Sequence, residues 1–166
     1  MKKIALINLE NVSEQESSTY RIREAARAVV FDENEKVALL HATKNGYYKL
    51  PGGGIEKGED ISKALERECQ EEIGCDIEVE KELGLIIEYR KKFNLKQTSY
   101  CYIAKLSGKK GTPHLMESEI EEGFETVWFP LEEAYRVVSQ SKPTIYEGPY
   151  MVARDSAFLS AAIKKS

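Results

Sequence analysis

The stretch from residue 51 to 74, PGGGIEKGEDISKALERECQEEIG, constrains the fold more than any other part of the chain. It begins with Pro51 and three glycines, and because neither residue type favours the interior of a strand, this run predicts the end of one. From residue 61 to 73 apolar residues recur at helical spacing, with Asp60 as the predicted N-cap and Gly74 as the predicted stop. The stretch therefore predicts a glycine-rich loop that leads into a helix.

Three glutamates occupy positions on this helix that a merely solvated helix would not use. At about 100° per residue, Ile61 and Leu65 begin an apolar stripe along one side. Glu68 and Glu72 continue that stripe, and Glu71 lies about 60° to one side of it. On an ordinary amphipathic helix the charges lie opposite the stripe, so this arrangement directs carboxylates toward the interior.

Carboxylates in such positions need a compensating positive charge. Like charges at i, i+4 repel, and partly buried ones lose hydration, so an unneutralised cluster would be destabilising. A hard cation such as Mg²⁺ suits the site, because it takes oxygen ligands and keeps water molecules that a phosphate substrate can replace. The upstream glycines allow the close backbone approach by which main-chain groups reach phosphates or metals. The competing interpretation is that acidic pairs on helices usually face water.

Several other catalytic or nucleotide-binding patterns are absent from the sequence. The glycines are not followed by GK[ST] at P-loop spacing, and they lack the G-x-G-x-x-G spacing of a dinucleotide fingerprint. No G-x-S-x-G elbow is present, and two histidines offer little for a nucleophilic triad. The sequence therefore favours chemistry carried by carboxylates.

Strands and helices follow one another without strict alternation in the rest of the chain, which is typical of a mixed sheet with helices packed on its faces. A first strand over 4–9 and a polar linker over 10–20 are predicted to precede the main body. The remaining predicted elements are a hairpin of 26–31 and 36–42, a short strand 47–50, a hairpin of 77–89 and 98–106, a strand 124–129, and helices 131–138 and 150–165.

Charge and composition exclude several classes of function. The net charge of −4 argues against a general affinity for DNA or RNA, because unspecific phosphate binding needs a basic face. Three cysteines without a CxxC pair suggest neither a disulfide framework nor a zinc site. No apolar run is long enough to span a membrane, and the N-terminal apolar run is unlike a signal peptide. We therefore expect one hydrophobic core and a cytoplasmic location.

Residues 52 to 75 resemble the signature of the Nudix hydrolases, Gx5Ex7REUxEExGU, in which U is a bulky apolar residue. Both U positions hold cysteine, which can pack as a small hydrophobe. With about 7% usage per residue, seven fixed matches have a chance probability of order 10⁻⁸ per starting point. The matching residues are Gly53, Glu59, Arg67, Glu68, Glu71, Glu72 and Gly74.

The resemblance implies a fold and a reaction. The fold would be a Nudix-type α/β/α sandwich of the α+β class, with a mixed sheet and the catalytic loop-helix motif, over residues 22–166. Residues 1–21 would be an N-terminal extension that covers an edge strand or forms a homodimer contact. The reaction would be hydrolysis of a nucleoside diphosphate linked to a group X, by water attack on phosphorus and without a covalent enzyme intermediate.

The resemblance also implies roles for the residues of the motif. Glu68, Glu71 and Glu72 would hold Mg²⁺, or Mn²⁺ in its place, near the Gly53 carbonyl. One of these glutamates, or a glutamate on a later loop, would activate water. Arg67 would be structural, with its guanidinium held by Glu59, a role suited to a bidentate fork.

Candidates outside the motif are less distinctive. Among the glutamates ahead of Trp128, we expect Glu122 or Glu121 to add a metal ligand or base, although acidic loops usually face water. Arg27 shares a strand face with Val29, which places a cation beside a core or a cleft, where a phosphate or a structural ion pair would be its partner.

Lys49, just before the motif, has the same two alternatives as Arg27. Arg90 belongs to a basic cluster at a predicted hairpin tip, together with Lys91, Lys92 and Lys96. We expect this cluster to be solvated rather than to contact a polyphosphate or RNA.

The substrate follows from elimination among the Nudix subfamilies. Downstream of the motif, this chain has neither the proline that ADP-ribose hydrolases carry nor the tyrosine of the diadenosine polyphosphate type. It also lacks the additional motifs of the coenzyme A and NADH types. A MutT-like nucleoside triphosphate pyrophosphohydrolase remains, acting on normal or oxidised nucleotides such as 8-oxo-dGTP. The alternatives are hydrolysis of ADP-ribose, nucleotide sugars or dinucleoside polyphosphates, and a non-catalytic domain that senses nucleotides.

Overall fold

A mixed eight-stranded sheet forms the centre of the computed structural model, which describes residues 1–165. The strands are β1 (Lys3–Ile7), β2 (Arg21–Phe31), β3 (Lys36–Ala42), β4 (Tyr47–Lys49), β5 (Gly52–Gly54), β6 (Asp76–Arg90), β7 (Leu95–Ser107) and β8 (Phe124–Pro130). The helices are α1 (Glu14–Ser17), α2 (Ile61–Ile73), α3 (Glu117–Glu121), α4 (Leu131–Ser139) and α5 (Gly148–Ile163). A single 3₁₀ turn, Lys91–Phe93, joins β6 to β7.

The strands run in the order β1-β6-β7-β2-β3-β4, with β5 paired to β2 and β8 paired to β3. The β6–β7 hairpin is antiparallel, whereas β1 lies parallel to β6 and β2 lies parallel to β7. The helices cover both faces of this mixed sheet, so the predicted fold class is confirmed.

The predicted hairpin of β2 and β3 departs from a regular ladder. The two strands pair where Phe31 meets Val37, and they diverge beyond that point. The glycine strand β5 pairs instead with β2 from Ala25 to Arg27. Because β4 pairs with β3 and runs directly into β5, the chain crosses the gap between the diverging strands. This divergence opens the sheet where the glycine loop lies.

Two hydrophobic clusters occupy the two faces of the sheet. One packs α2, through Leu65, Cys69 and Ile73, against small residues of β2 such as Ala28. The other packs α4 and α5, through residues such as Val138 and Phe158, against the opposite face. The alternation of β2 serves both clusters, because neighbouring residues of a strand point to opposite faces.

The N-terminal segment corrects the prediction of a polar linker. The strand predicted over 4–9 is observed as Lys3–Ile7, but the following residues contain α1, and Val12 and Tyr20 are buried. The carboxylate of Glu10 accepts hydrogen bonds from the hydroxyls of Tyr146 and Tyr150. The polar residues of this segment are therefore used in contacts with the rest of the chain. Of the helices in the described part of the chain, none combines the length and apolar character that crossing a bilayer requires.

The helix of the motif begins and ends where the sequence predicts. The side chain of Asp60 accepts a hydrogen bond from the Ser62 N–H at 2.8 Å, and Gly74 ends the helix in the left-handed region at φ 64°. A Cβ added to Gly74 would lie 2.5 Å from the carbonyl carbon of Thr112. The stop therefore needs glycine for its backbone angle and for the close approach of the 107–117 loop.

We expect Gly74→Ala to lower the free energy of unfolding by at least about 2 kcal/mol, because left-handed strain of about 1–2 kcal/mol adds to the clash with Thr112. Gly108→Ala is the matched control, since Gly108 also has a positive φ of 78° but nothing within 4 Å of an added Cβ. Urea denaturation of both variants measures the difference. Equal losses would show that the contact with Thr112 contributes nothing.

Candidate functional site

A cavity of about 350 Å³ opens where β2 and β3 diverge, beside the glycine loop and α2. One side carries the loop and the carboxylates of α2, and the other carries residues of α3, α5 and the segment before α5. Its lining includes Arg23, Arg27, Tyr47, Lys49, Gly53, Glu68, Glu72, Arg90, Met116, Glu119, Glu122, Phe124, Ile145, Glu147 and Met151.

The glycine loop lies directly against the carboxylates of α2. A Cβ added to Gly53 would lie 2.3 Å from Oε1 of Glu68, so any larger residue would displace that carboxylate. On the other side of the loop, the Gly52 N–H donates to Oε2 of Glu72 at 2.7 Å. The absence of side chains on the loop is what allows α2 to approach its backbone.

Arg67 connects the loop to the helix through a fork of hydrogen bonds. Its Nε and Nη2 donate to the two carboxylate oxygens of Glu59, each at 2.9 Å, and Nη2 also donates to the Gly54 carbonyl at 3.1 Å. Its Nη1 donates to Glu68 at 2.8 Å. The hydrogen bonds from Arg67 lower the pKa of Glu59 to about 2. These contacts agree with a structural role for Arg67 and Glu59.

Glu72 is the most deeply buried acid of the motif. Besides the Gly52 N–H, its carboxylate accepts a hydrogen bond from Nζ of Lys49 at 2.8 Å. Its side chain is 3% exposed and that of Lys49 is 11% exposed. The ammonium of Lys49 also lies 5.0 Å from the centre of the Phe124 ring. Lys49 therefore lines the cavity as the counterion of Glu72.

The other two glutamates of the motif are less deeply buried. Burial and the negative charge of Glu72 raise the pKa of Glu68, against the opposing effect of Arg67. Glu71 is 37% exposed and lies 3.6 Å from Nη1 of Arg67. Among residues 1–165, no three Asp, Glu, His or Cys side chains are arranged to hold a metal ion. Each carboxylate instead contacts a cation of the chain itself.

Arg27 is a buried cation with unused hydrogen-bond donors. It is 5% exposed, and among the described residues its Nε and Nη1 have no hydrogen-bond partner. Burial, followed by repulsion from Arg154, lowers its pKa to about 10, so the guanidinium remains charged at neutral pH. An unpaired buried donor costs about 1–3 kcal/mol, which makes this an expensive arrangement for the free protein.

The later acidic loop contributes Glu122 and also a residue that the sequence did not single out. The carboxylate of Glu122 accepts from Nδ2 of Asn45 at 3.0 Å and from the Tyr47 hydroxyl at 3.3 Å. Glu119 lines the same cavity, and its pKa is raised by burial and by the charge of Glu72. Glu121 is exposed and is not among the described residues that line the cavity. The i, i+3 spacing of Glu119 and Glu122 is the signal that could have identified both.

Arg90 corrects the prediction of a solvated basic cluster. It is 7% exposed, its Nη2 donates to Oε1 of Glu88 at 2.9 Å, and it lies over the ring of Tyr150. It also lines the cavity together with Arg23, which the sequence analysis did not select. Arg90 is the last residue of β6, whereas the exposed Lys91 and Lys92 lie in the 3₁₀ turn that follows.

The cavity is also lined by apolar side chains. They are Tyr47, Phe124, Met116, Ile145 and Met151. Together with the charged residues, they give the cavity the character of a small-molecule site that combines apolar surface with fixed polar groups.

Comparisons with known proteins agree with this geometry. The NUDIX domain model matches residues 21–148. Nudix hydrolase 7 of Arabidopsis thaliana is 29% identical over 114 residues, which are 65% of this chain and 39% of that protein. Human 8-oxo-dGDP phosphatase NUDT18 is 30% identical over 106 residues, which are 62% of this chain and 31% of that protein. The matched regions thus span less than half of either relative.

A solved structure shows the same fold. The MutT protein from Methanosarcina mazei Go1 superposes with a TM-score of 0.63 at 16% identity, over 89% of this chain and 96% of that chain. At this identity the likeness concerns the fold alone.

We expect Glu72→Gln to lower the free energy of unfolding by about 3 kcal/mol in metal-free buffer, because it leaves the buried ammonium of Lys49 without a charged partner. Glu71→Gln is the matched control and should change stability by less than about 0.5 kcal/mol, since Glu71 is partly solvated. Urea denaturation with chelator present compares the two variants. A Glu72→Gln protein as stable as the control would contradict the assigned ion pair.

Proposed function

The chain belongs to the NUDIX domain family, and on that basis we propose that it is a Nudix pyrophosphohydrolase that hydrolyses a nucleoside diphosphate linked to a group X. We propose a nucleoside triphosphate as the substrate, normal or oxidised as in 8-oxo-dGTP, with the monophosphate and pyrophosphate as products. The observation that carries the proposal is that one cavity brings together the glycine loop, the carboxylates of α2 and the unpaired guanidinium of Arg27.

Arg27 supports the phosphate part of this proposal. A guanidinium is a planar, permanently charged donor that matches phosphate oxygens in a bidentate way. Its Nε and Nη1 are unsatisfied among the described residues, so a bound phosphate would supply the acceptors that the protein lacks. The cost of burying Arg27 in the free protein would then be recovered on substrate binding.

The carboxylates of the motif suit a divalent cation. They offer hard oxygen donors on one helix, beside the backbone of a loop that a Cβ at Gly53 would block. Burial and the neighbouring charge of Glu72 raise the pKa of Glu68, against the opposing effect of Arg67, a cation that Glu68 shares with Glu59 and Glu71. In this structure these carboxylates contact Arg67 and Lys49 and do not converge on one metal position among the described residues. We propose that Glu68, Glu71, Glu72 and the Gly53 carbonyl hold Mg²⁺, or Mn²⁺ in its place, once these side chains turn away from Arg67 and Lys49. The bound ion would neutralise charge on phosphate oxygens and lower the pKa of a water molecule.

Two carboxylates on the α3 side of the cavity are candidates to accept the proton of the attacking water, besides those of the motif. Oε2 of Glu122 accepts hydrogen bonds from Asn45 and Tyr47, so this oxygen is already occupied in the free protein. Burial raises the pKa of Glu119, which suits a general base better. We therefore add Glu119 to the Glu122 that the sequence indicated.

The substrate proposal rests on the shape of the cavity and on a relative. The apolar side chains of the lining suit a nucleobase, while its arginines suit phosphates. The human relative is named for 8-oxo-dGDP, which supports an oxidised guanine nucleotide as the substrate but does not distinguish a triphosphate from a diphosphate. A cytoplasmic location and a homodimer contact through residues 1–21 stay predictions.

A turnover panel tests the proposed reaction and its substrate together. We expect Mg²⁺-dependent formation of nucleotide products, separated by chromatography, with nucleoside monophosphate formed fastest from normal or oxidised nucleoside triphosphates and no product with excess chelator. The panel should include ADP-ribose, nucleotide sugars and dinucleoside polyphosphates. Faster cleavage of any of these would replace the triphosphate as substrate, and metal-dependent nucleotide binding without turnover would identify a sensor.

Replacing Arg27 separates function from stability. We expect Arg27→Met to raise the free energy of unfolding by about 1–3 kcal/mol, because it removes unsatisfied buried donors, while lowering kcat/KM at least about 10-fold. Arg154→Met is the matched control, because Arg154 is equally buried but is bonded to Asp155 and Glu88.

The control should lose about 3–5 kcal/mol of stability, the cost of leaving buried carboxylates unpaired. Thermal and urea denaturation without ligand measure both variants. Destabilisation by Arg27→Met would show that Arg27 has a structural partner and is not kept for substrate.

A further inference from the structure

The inner wall of the cavity carries more positive charge than the phosphate contact of Arg27 requires. Arg23 and Arg27 lie four residues apart on β2, and therefore on the same face of that strand. Arg90 reaches the same wall from the end of β6. Three guanidinium groups thus line one end of a single cavity.

These arginines are not all paired with acids. Glu88 is shared between Arg90 and the buried Arg154, and Asp155 is paired with Arg154. Arg23 donates to the neutral amide of Gln97, and Nε and Nη1 of Arg27 have no hydrogen-bond partner among the described residues. Burial lowers the pKa of Arg23, with repulsion from Arg90 and Arg154 contributing further and attraction to Glu88 and Glu68 opposing it. Guanidinium donors without an acidic hydrogen-bond partner in a partly desolvated cleft indicate an anionic ligand.

A row of hydrogen-bonded side chains across β2, β7 and β6 holds Arg23 in place. The register of the sheet sets Arg23 of β2 opposite Gln97 of β7, and Gln97 opposite Glu88 of β6. Nη1 of Arg23 donates to the side-chain carbonyl of Gln97. The amide nitrogen of Gln97 then donates to Oε2 of Glu88 at 2.9 Å. Gln97 and Glu88 are fully buried, so this row has little freedom to move.

The guanidinium of Arg23 lies beside the glycine loop. Its Nη2 is 3.1 Å from the position that a Cβ on Gly54 would occupy. The carbonyl of Gly54 accepts a hydrogen bond from Arg67. Gly54 therefore lies close to both Arg23 of the arginine wall and Arg67 of the motif.

We propose that Arg23 and Arg90 extend the phosphate contact of Arg27 into an anion subsite that binds a terminal phosphate of the substrate, with Gln97 and Glu88 as positioning residues for Arg23. This inference rests on the proposed function and narrows its substrate class. A terminal phosphate carries more charge than a phosphate esterified on both sides. The subsite therefore favours compounds that end in phosphate, such as nucleoside triphosphates, over nucleotide sugars and ADP-ribose, which end in a sugar.

The test compares GTP with GDP-mannose, which share guanosine diphosphate and differ in the terminal group. We expect Arg23→Gln to lower kcat/KM for GTP about 10- to 100-fold, the loss typical of a charged hydrogen bond, and to leave kcat/KM for GDP-mannose within about twofold. Arg21→Gln removes the same charge two residues away, at an exposed position, and should leave both values within about twofold. Equal losses for the two substrates in Arg23→Gln would overturn the terminal-phosphate assignment.

A binding measurement keeps the subsite testable even where neither nucleotide is hydrolysed. Isothermal titration of inorganic tripolyphosphate into the metal-free protein should give a Kd at least about 10-fold weaker for Arg23→Gln than for the wild type and Arg21→Gln. If neither nucleotide is hydrolysed, this result would support the subsite and contradict the proposed reaction. Equal binding by all three proteins, or no binding by the wild type, would overturn the subsite itself.

The role of Gln97 is tested through its dependence on Arg23. We expect Gln97→Met, which has a similar length but cannot accept from Arg23, to raise KM for GTP about 5- to 10-fold with little change in kcat. In an Arg23→Gln background the same substitution should have no further effect on KM. A purely structural role would lower the melting temperature and act equally in both backgrounds, which would overturn the positioning role.

Discussion

Two buried carboxylates hold the glycine loop between the two helical layers, and the geometry of the site depends on them. Glu72 of α2 accepts the Gly52 N–H, and Asp155 of α5 accepts the Leu50 N–H at 2.9 Å. Between them, the carbonyl of Pro51 accepts the Ala28 N–H of β2. Each residue from 50 to 52 is therefore bonded to a different element. Because the main clusters of α2 and α5 lie on opposite faces of the sheet, the position of the loop depends on contacts with both layers.

The carboxylates of the motif and the arginines of the inner wall are compensated unequally. Glu68 and Glu72 already contact Arg67 and Lys49, whereas Arg27 has unsatisfied donors among the described residues and Arg23 bonds to a neutral amide. Buried ion pairs add little net stability, because desolvation offsets their attraction, but they restrict side chains to one geometry. This asymmetry prepares the cavity for an anion, and the ion pairs keep the acids of α2 oriented beside the loop.

Some residues of the site could be recognised from sequence, and others could not. The motif has fixed spacing on one helix, so the positions of Glu68, Glu72 and their loop follow from helical geometry. Arg27 stood out because it shares a strand face with apolar neighbours. Arg23 was not selected and Arg90 was predicted to be solvated, because polar surroundings in sequence do not show that a residue faces a cavity formed by distant elements. Glu119 was not selected either, although its i, i+3 spacing from Glu122 places both on one side of a helix.

The sequence by itself determined the local elements, the helix with its cap and stop, and the family to which the motif points, because these depend on spacing and backbone preferences within a few dozen residues. Only the tertiary structure decided that β2 and β3 diverge around β5, that residues 10–20 pack against the body, and that Arg90 is buried. It also decided which cations are paired. Register across β2, β7 and β6 places Arg23, Gln97 and Glu88 in one row, and such contacts join residues 74 positions apart in the chain. Sequence spacing does not predict these contacts, because they arise from the pairing of distant strands and from burial in the packed structure.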